Sequence, residues 1–460
     1  MTHVVKLIAA LFLIQSLNVY AMCGGMFAPD VKPQPVRLGQ QMNSISKPTI
    51  TNKATRVALV RDQDATIITM SNDVQTDADE FALVVPVPTK IERSAVRVVD
   101  DSLFTTLQKN TSPQLVESYD PDPCPVEKLA RDKISIQSVE SVAPSAKSTS
   151  APRAAKYGVK VEAHYSVGEY SIAILSAKKG SGLVEWLNKF HYNIPQGAIE
   201  ILNSYIKQDM KFFVAKVDFH KQKDSGFKYL RPLQVKYNTP KFILPIRLGM
   251  INATEPQELE VYALSPQGRI ESTNYQTISL PTGAVLPLYM KDRFADFIHA
   301  VFDAKTAENN MRAIFLEFAG DAMSSGLTEA DLRKFGIPWS EREKLSDFGR
   351  SYVLSKLHFR YTRDGFPEDL VFQETGNRTP FAMSFTVQHL AKNLNCEEGQ
   401  AYLRGIPTRR KQEAQTLASL TGWDLADINE KMGNLPEPQP VAPPVPPPKE
   451  KAWWQKIWGS

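Results

Sequence analysis

The chain has 460 residues, 42% of them hydrophobic and 23% charged, with a formal net charge of +4 at pH 7. That balance is ordinary for a folded chain with ample core, and it excludes a collagen-like, disordered or disulfide-dense protein. The charge is too small and too dispersed for a nucleic-acid binder, so no nucleic acid is expected as a partner.

Lys6 precedes an apolar run from Leu7 to Leu17, and Val19-Tyr20-Ala21 supplies the small-residue pattern that signal peptidase accepts. Residues 1–21 therefore read as a signal peptide and the protein as exported, to the periplasm, cell envelope or extracellular space. No later apolar run approaches the ~20 residues that span a bilayer as a helix. The three cysteines, Cys23, Cys124 and Cys396, admit one disulfide in an oxidising compartment. The expected pair is Cys23 with Cys124, which closes a loop of about 100 residues worth about 4 to 5 kcal/mol in the chain-entropy model. Reduced, buried thiols and a Cys124–Cys396 bridge remain open. Met22 is too large for the position before a lipidated cysteine, which argues against an anchor at Cys23.

Residues 22–138 read as an N-terminal β-rich unit. Thr55 to Val60 and Ala65 to Met70 are predicted strands joined by Arg61-Asp62-Gln63-Asp64, and Glu80 to Val87 is a third, giving an antiparallel meander. Asp101 to Gln108 reads as a helix with Leu103, Phe104 and Leu107 on one face, capped by Asp100 or Asp101. A Ser/Ala/Pro-rich stretch, 139–156, is the expected flexible linker.

Residues 157–305 read as a central α+β unit. Strands at Val159 to Tyr165 and Tyr170 to Leu175 hinge at Gly168-Glu169, helices follow at Gly182 to Phe190 and Gln196 to Ile206, and strands return at Phe212 to Phe219, Leu233 to Tyr237, Phe242 to Leu248 and Leu259 to Leu264. Asp292 to Phe302 has the apolar spacing of a helix, with His299 expected in the core. Residues 306–434 read as a mixed, helix-rich C-terminal region: a strand at Arg312 to Phe318, a helix from Thr328 to Phe335 capped by Thr328, and a helical close over Lys411 to Met432. The fold class is α+β, mostly antiparallel sheets with helices packed on them. Residues 435–460 are a separate tail: Pro436 to Pro448 forms a polyproline spacer of about 40 Å, followed by Trp453, Trp454 and Trp458 among lysines. That end is a candidate for weak peripheral membrane or partner contact.

Catalytic motifs are few. No His-Glu-x-x-His, Cys-x-x-Cys, Gly-x-Ser-x-Gly, Walker A or Gly-x-Gly-x-x-Gly occurs in the chain, and no cofactor is expected. Lys178-Lys179-Gly180-Ser181-Gly182 lacks the end of a phosphate loop and reads as a tight turn and helix cap. Asp77, Asp79 and Glu80 are weak calcium candidates, since the stretch lacks the glycine and distal glutamate of an EF-hand loop; a solvated turn is the simpler reading, and no metal is expected. In Leu354-Ser355-Lys356-Leu357-His358-Phe359-Arg360-Tyr361-Thr362, strand alternation puts His358, Arg360 and Thr362 on one face. A solvated face is the simpler reading of that polar stripe and a ligand site the sharper one, with His358, Arg360 and Asp369 as weak catalytic candidates.

Several phrases together carry a resemblance. Cys23-Gly24-Gly25-Met26-Phe27, Glu80-Phe81-Ala82-Leu83-Val84-Val85-Pro86-Val87-Pro88, Gly168-Glu169-Tyr170, Trp186-Leu187, Leu357-His358-Phe359-Arg360-Tyr361-Thr362 and Phe366-Pro367-Glu368-Asp369-Leu370-Val371-Phe372 are similar to bacterial domain-of-unknown-function family 2330. The likeness runs from about Cys23 to Met432; the Pro- and Trp-rich tail is outside it. It implies an exported bacterial protein without an established activity and carries over no catalytic residue. The function expected is a non-enzymatic envelope or secreted protein that binds or scaffolds an unidentified protein or envelope component. The alternative is an exported hydrolase of unrecognised type using residues such as Cys23, His358, Arg360 or Asp369.

Overall fold

The computed structural model describes residues 25–27, 50–76, 80–124, 157–190, 192, 194–195, 197–218, 230–253, 255–339, 351–392 and 394–433. The first part of the chain forms β1 (Gly25–Phe27), β2 (Ile50–Asp62), β3 (Ala65–Thr76), β4 (Glu80–Val87), β5 (Val96–Val98), α1 (Ser102–Thr111) and β6 (Gln114–Tyr119). Next come β7 (Val159–Val167), β8 (Tyr170–Ala177), α2 (Gly180–Lys189), α3 (Ala198–Lys207), β9 (Lys211–Asp218), β10 (Leu233–Asn238), β11 (Ile243–Leu244), β12 (Gln257–Ser265), β13 (Ile270–Ser272), β14 (Gln276–Ser279) and β15 (Val285–Leu286). The last part forms α4 (Phe294–Glu308), β16 (Ala313–Asp321), α5 (Glu329–Lys334), β17 (Val353–Tyr361), β18 (Leu370–Glu374), β19 (Phe381–Ala382), β20 (Ser384–His389), α6 (Glu397–Thr421) and α7 (Leu425–Met432). This is a mixed α and β protein with mostly antiparallel sheets and helices toward the C-terminus. Among the described residues, no helix is long and apolar enough to cross a membrane.

Two compact units interleave along the sequence: residues 1–113, 142–280 and 305–383 form one, and 114–141, 281–304 and 384–460 the other. In the first unit, a nine-stranded sheet has the order β14-β16-β17-β12-β2-β3-β10-β5, with β19 paired to β16. It draws strands from each of the three stretches that the sequence divides into successive units. A five-stranded sheet, β1-β4-β9-β8-β7, lies against it. Val57, Leu59, Val261 and Phe359 from the larger sheet meet Phe81, Leu83, Ile172 and Phe213 from the smaller in one core. The other face of the smaller sheet, with Ala82, Val84 and Phe212, is covered by Leu183, Leu187 and Leu202 of α2 and α3. Phe104 and Leu107 of α1 and Leu332 of α5 cover Ala58, Val60, Tyr262 and Leu264 on the far side of the larger sheet. The first unit is thus layered helix, sheet, sheet, helix, and its central strands are apolar on both faces because both are buried.

That two-faced burial explains where sequence expectation and structure part. β2 and β3 form the expected hairpin, but β3 pairs next with β10, while β4 joins the other sheet between β1 and β9. There is therefore no β2-β3-β4 meander, because β4, buried on both faces, satisfies its apolar residues equally well in the second sheet. Pro86 lies opposite Phe212 of β9, beyond the Ala82–Val84 stretch that the described residues of β1 cover. Pro245 ends β11 after two residues where a longer strand was expected. The Lys411 to Met432 close is part of two helices, α6 and α7, broken at Gly422, whose φ of +72° suits glycine. His299, expected in the core, is exposed on α4.

In the second unit, β15, β20 and β6 form a parallel sheet. Phe294 and Phe297 pack with Phe385. Cys124 and Cys396 are joined in a disulfide with Cα atoms 5.9 Å apart. This corrects the expected Cys23–Cys124 pair: β20 and β6 run side by side, so the chain just after β6 and the chain leading into α6 meet, a proximity that spacing along the sequence does not encode. Cys23, the leader, the 139–156 linker and the 435–460 tail with Trp453, Trp454 and Trp458 lie outside the described residues.

Candidate functional site

The polar stripe expected on one strand is the middle of a buried ladder of charges across three. β17 alternates Leu357, Phe359 and Tyr361 into the core between the sheets, which turns Lys356, His358 and Arg360 to the other face. On the neighbouring β12, Glu258 stands opposite Arg360, Glu260 opposite His358 and Tyr262 opposite Lys356. On the other side, β16 pairs Phe315 with His358 and Phe318 with Lys356, and the register shifts between Leu316 and Phe318. Glu317 is the extra residue of that bulge, and the bulge lets it and Phe318 face the same side as the stripe.

The charged groups of the stripe then pair with one another. His358 Nδ1 lies 2.7 Å from Glu317 Oε1 and its Nε2 lies 3.0 Å from Glu258 Oε1. Arg360 donates to Glu258 Oε2 from Nη2 at 2.8 Å and from Nε at 3.1 Å. Lys356 Nζ bridges Glu260 at 2.9 Å and Glu317 at 2.8 Å, and the Tyr262 hydroxyl donates to Glu260 Oε2 at 2.9 Å. The row continues onto β2 and β3, where Arg56 and Ser71 both donate to Asp101 at the start of α1. Asp101 therefore serves the ladder, while Asp100 accepts from the Ser102 N–H to open the helix.

Ionised carboxylates only accept hydrogen bonds, so a histidine held by one on each ring nitrogen is an imidazolium. Burial opposes that charge, but Glu317 and Glu258 outweigh it and push the His358 pKa up to about 10. Burial likewise opposes ionisation of Glu258, yet the hydrogen bond and charge of His358, with Arg360, hold its carboxyl at about 2. Glu317 and Glu260 are lowered against burial, led by the charge of Lys356, and Lys356 is held well above its usual value by Glu317 despite its burial. Three carboxylates face three cations, and side-chain exposures of 4% for Glu317 and 5% for Lys356 mark the inner end as closed to water.

Glu260, Glu317 and His358 bring three potential metal-ligand atoms within 4.8 Å of one another. The arrangement does not suit a divalent ion: a ligating histidine must be neutral, whereas both nitrogens of His358 face carboxylates, and the Lys356 ammonium already bridges the two glutamates. The ladder is its own counter-ion system. A solvated strand face, the simpler expectation for this stripe, is corrected by the burial.

Asp369 does not join it. Its Oδ1 accepts from the Tyr205 hydroxyl at 2.8 Å and from the backbone N–H groups of Ile246 and Arg247 at 2.9 and 3.1 Å, fastening α3 to the chain entering β18. Burial raises its pKa, against those hydrogen bonds. Asp77 and Asp79 lie outside the described residues, and Glu80 opens β4. In the Lys178–Gly182 stretch, Gly180 and Gly182 start α2; a Cβ would meet Ile199 O at 2.7 Å and Tyr157 O at 2.3 Å, so the glycines serve close packing. The cap comes from Asn203 of α3, which accepts the Gly180 N–H at 2.8 Å.

Sequence reasoning found two of the six ladder residues, His358 and Arg360, and missed Lys356, Glu258, Glu260 and Glu317. The signal was present in part: Glu258, Glu260 and Tyr262 alternate with Leu259, Val261 and Ala263 as the stripe does, and Glu317 is the one carboxylate in the otherwise uncharged run from Ala313 to Gly320.

Fold and site together define a mixed α and β protein built round an internally neutralised ion ladder. Residues 39–373 match the family described as an uncharacterized protein conserved in bacteria, DUF2330, and the chain belongs to that family. Comparisons with curated proteins and with solved structures return no match.

Proposed function

We propose that this is an exported bacterial protein of the envelope or the surrounding medium, which binds or scaffolds a partner and performs no chemistry of its own. The observation that carries the reading is that the catalytic candidates among the described residues, His358, Arg360 and Asp369, are already engaged by partners within the fold. His358 is fixed between two carboxylates, Arg360 is paired with Glu258, Asp369 accepts three hydrogen bonds, and Cys124 and Cys396 are joined to each other. A general base needs a free acceptor near the operating pH, and neither cysteine of the disulfide offers a thiolate. The export reading draws support from the leader and from the disulfide, a bond that persists in oxidising compartments.

The test is expression of the full chain in a bacterial host, with fractionation and mass spectrometry of the N-terminus. A chain beginning at Met22 in the periplasm or medium is expected, and an intact leader in the cytoplasm overturns the export reading. The tail is proposed as a peripheral contact, with Trp453, Trp454 and Trp458 in the headgroup region and the neighbouring lysines on anionic lipid. Co-sedimentation with anionic vesicles should fall when the chain ends at Leu435, and equal partitioning of the two forms removes the membrane from the proposal.

A further inference from the structure

The second unit carries a cavity of about 210 Å³ beside the place where the described chain ends. Its apolar lining includes Leu288, Tyr289, Leu390 and Met432. Leu288, 42% exposed, stands where the cavity opens to solvent. Met432 is the last residue of α7, and Gly433, at a φ of +66°, ends that helix and turns the chain. Arg410 of α6 also lines the cavity, and it donates to the carbonyls of Met432 and Gly433, so the outgoing chain is held against the lining. The two arginines of the lining differ in their charge partners. Arg409 pairs with Asp120 at 2.6 Å and lies 3.4 Å from Glu413, whereas among the described residues no carboxylate is within ion-pair range of Arg410.

The chain itself supplies what this site takes. Past Gly433 it reads Asn434-Leu435-Pro436-Glu437-Pro438, in which Leu435 is the first apolar side chain after Met432 and Glu437 the first charge after Lys431. Leu435 lies two residues beyond Gly433, within about 7 Å of it even when fully extended. The volume is below the roughly 300 to 1,000 Å³ of drug-sized sites and suits one or two side chains. The prolines on either side of Glu437 favour an extended backbone in advance, so seating this segment costs little chain entropy, and grooves with an aromatic ring such as Tyr289 suit that conformation. We propose that Leu435 to Pro438 docks on this cavity in the same chain, with the Leu435 side chain against Leu288, Tyr289, Leu390 and Met432, and the Glu437 carboxylate on Arg410. A docked start fixes the point from which the spacer projects: Pro438 to Pro448 reaches about 30 Å as polyproline, and the tryptophans follow it. The proposal depends on neither the export nor the membrane reading.

Disulfide trapping in the full chain tests it, since a bridge forms only when the two Cα atoms come within about 7 Å. The chain carries Cys23→Ser, Leu288→Cys and Pro436→Cys, and the rate of the 288–436 bridge under mild oxidation is read by mass mapping of a non-reduced digest. The same digest reports the Cys124–Cys396 bridge, which shows that each variant has folded. The 288–436 bridge should form within one chain. Adding Leu435→Ser should slow it at least about tenfold, because the anchoring side chain is lost, and adding Glu437→Arg should slow it about two- to fivefold, because the ion pair becomes a repulsion. No bridge, or the same rate with and without Leu435→Ser, overturns the proposal, since a tail that merely passes the cavity crosslinks equally in both. A rate unchanged by Glu437→Arg overturns the contact with Arg410. A bridge that joins two chains, seen as a dimer on a non-reducing gel, overturns docking within one chain and assigns the cavity to the tail of a second copy.

Discussion

Exchanging Lys356 for methionine leaves Glu260 and Glu317 facing each other at the closed end of the ladder without the ammonium that bridges them. Breaking a buried ion pair from one side costs about 3 to 5 kcal/mol, because the remaining charge stays desolvated. Lys356→Met should therefore lower the unfolding free energy by that amount in urea titration. Replacing Lys356, Glu260, Glu317 and His358 together by apolar residues of similar volume, with Tyr262→Phe, leaves the Glu258–Arg360 pair balanced and should recover most of the loss, and a combined variant no better than the single one contradicts this account. His358 adds a pH signature. Its pKa rises from 6.5 to about 10 on folding, so its contribution is complete below about pH 6.5 and fades as pH climbs toward 10. Glu258 is lowered from 4.5 to about 2, so its share is complete above about 4.5 and fades as pH falls toward 2. The stability gap between the wild type and His358→Gln should consequently narrow from about pH 5.5 to about pH 9; a flat gap contradicts a charged His358.

At the scale of elements, local chemistry was legible and partnership was not. The Thr328 cap, read from sequence alone, is a full capping box: Thr328 Oγ1 accepts from the Asp331 N–H at 3.2 Å and Asp331 Oδ2 accepts from the Thr328 N–H at 3.0 Å. Thr328→Ala should cost about 1 kcal/mol in denaturant unfolding, with its effect on a helix of only six residues visible as faster amide exchange over Glu329–Lys334. The alternation of β17 likewise gave the strand and the shared face of His358 and Arg360. What alternation cannot give is the neighbour, because hydrogen-bond ladders are generic and strands buried on both faces are chemically alike. Thus β4 left the hairpin it follows, and the carboxylates that complete the ladder come from β12 and from a bulge in β16, where pairing with β17 places an extra residue. Glu317 could be suspected only as a charge in an apolar run; its partners lie 39 and 41 positions along the chain.

At the scale of the molecule, the Cys124–Cys396 bridge closes a loop of 272 positions. Such a loop is worth about 5 to 6 kcal/mol in the chain-entropy model when all of it unfolds, and it contains residues 142–280 and 305–383 of the layered unit, so reduction, or Cys396→Ser, should lower the thermal midpoint of the chain. An unchanged midpoint on reduction contradicts this account. The bridge also decides what a protease leaves behind. Any single cut in the chain between the two cysteines yields two pieces that still travel as one on a non-reducing gel and part only when a reductant is added. Wherever reductants are scarce, a nicked copy of this protein would stay in one piece.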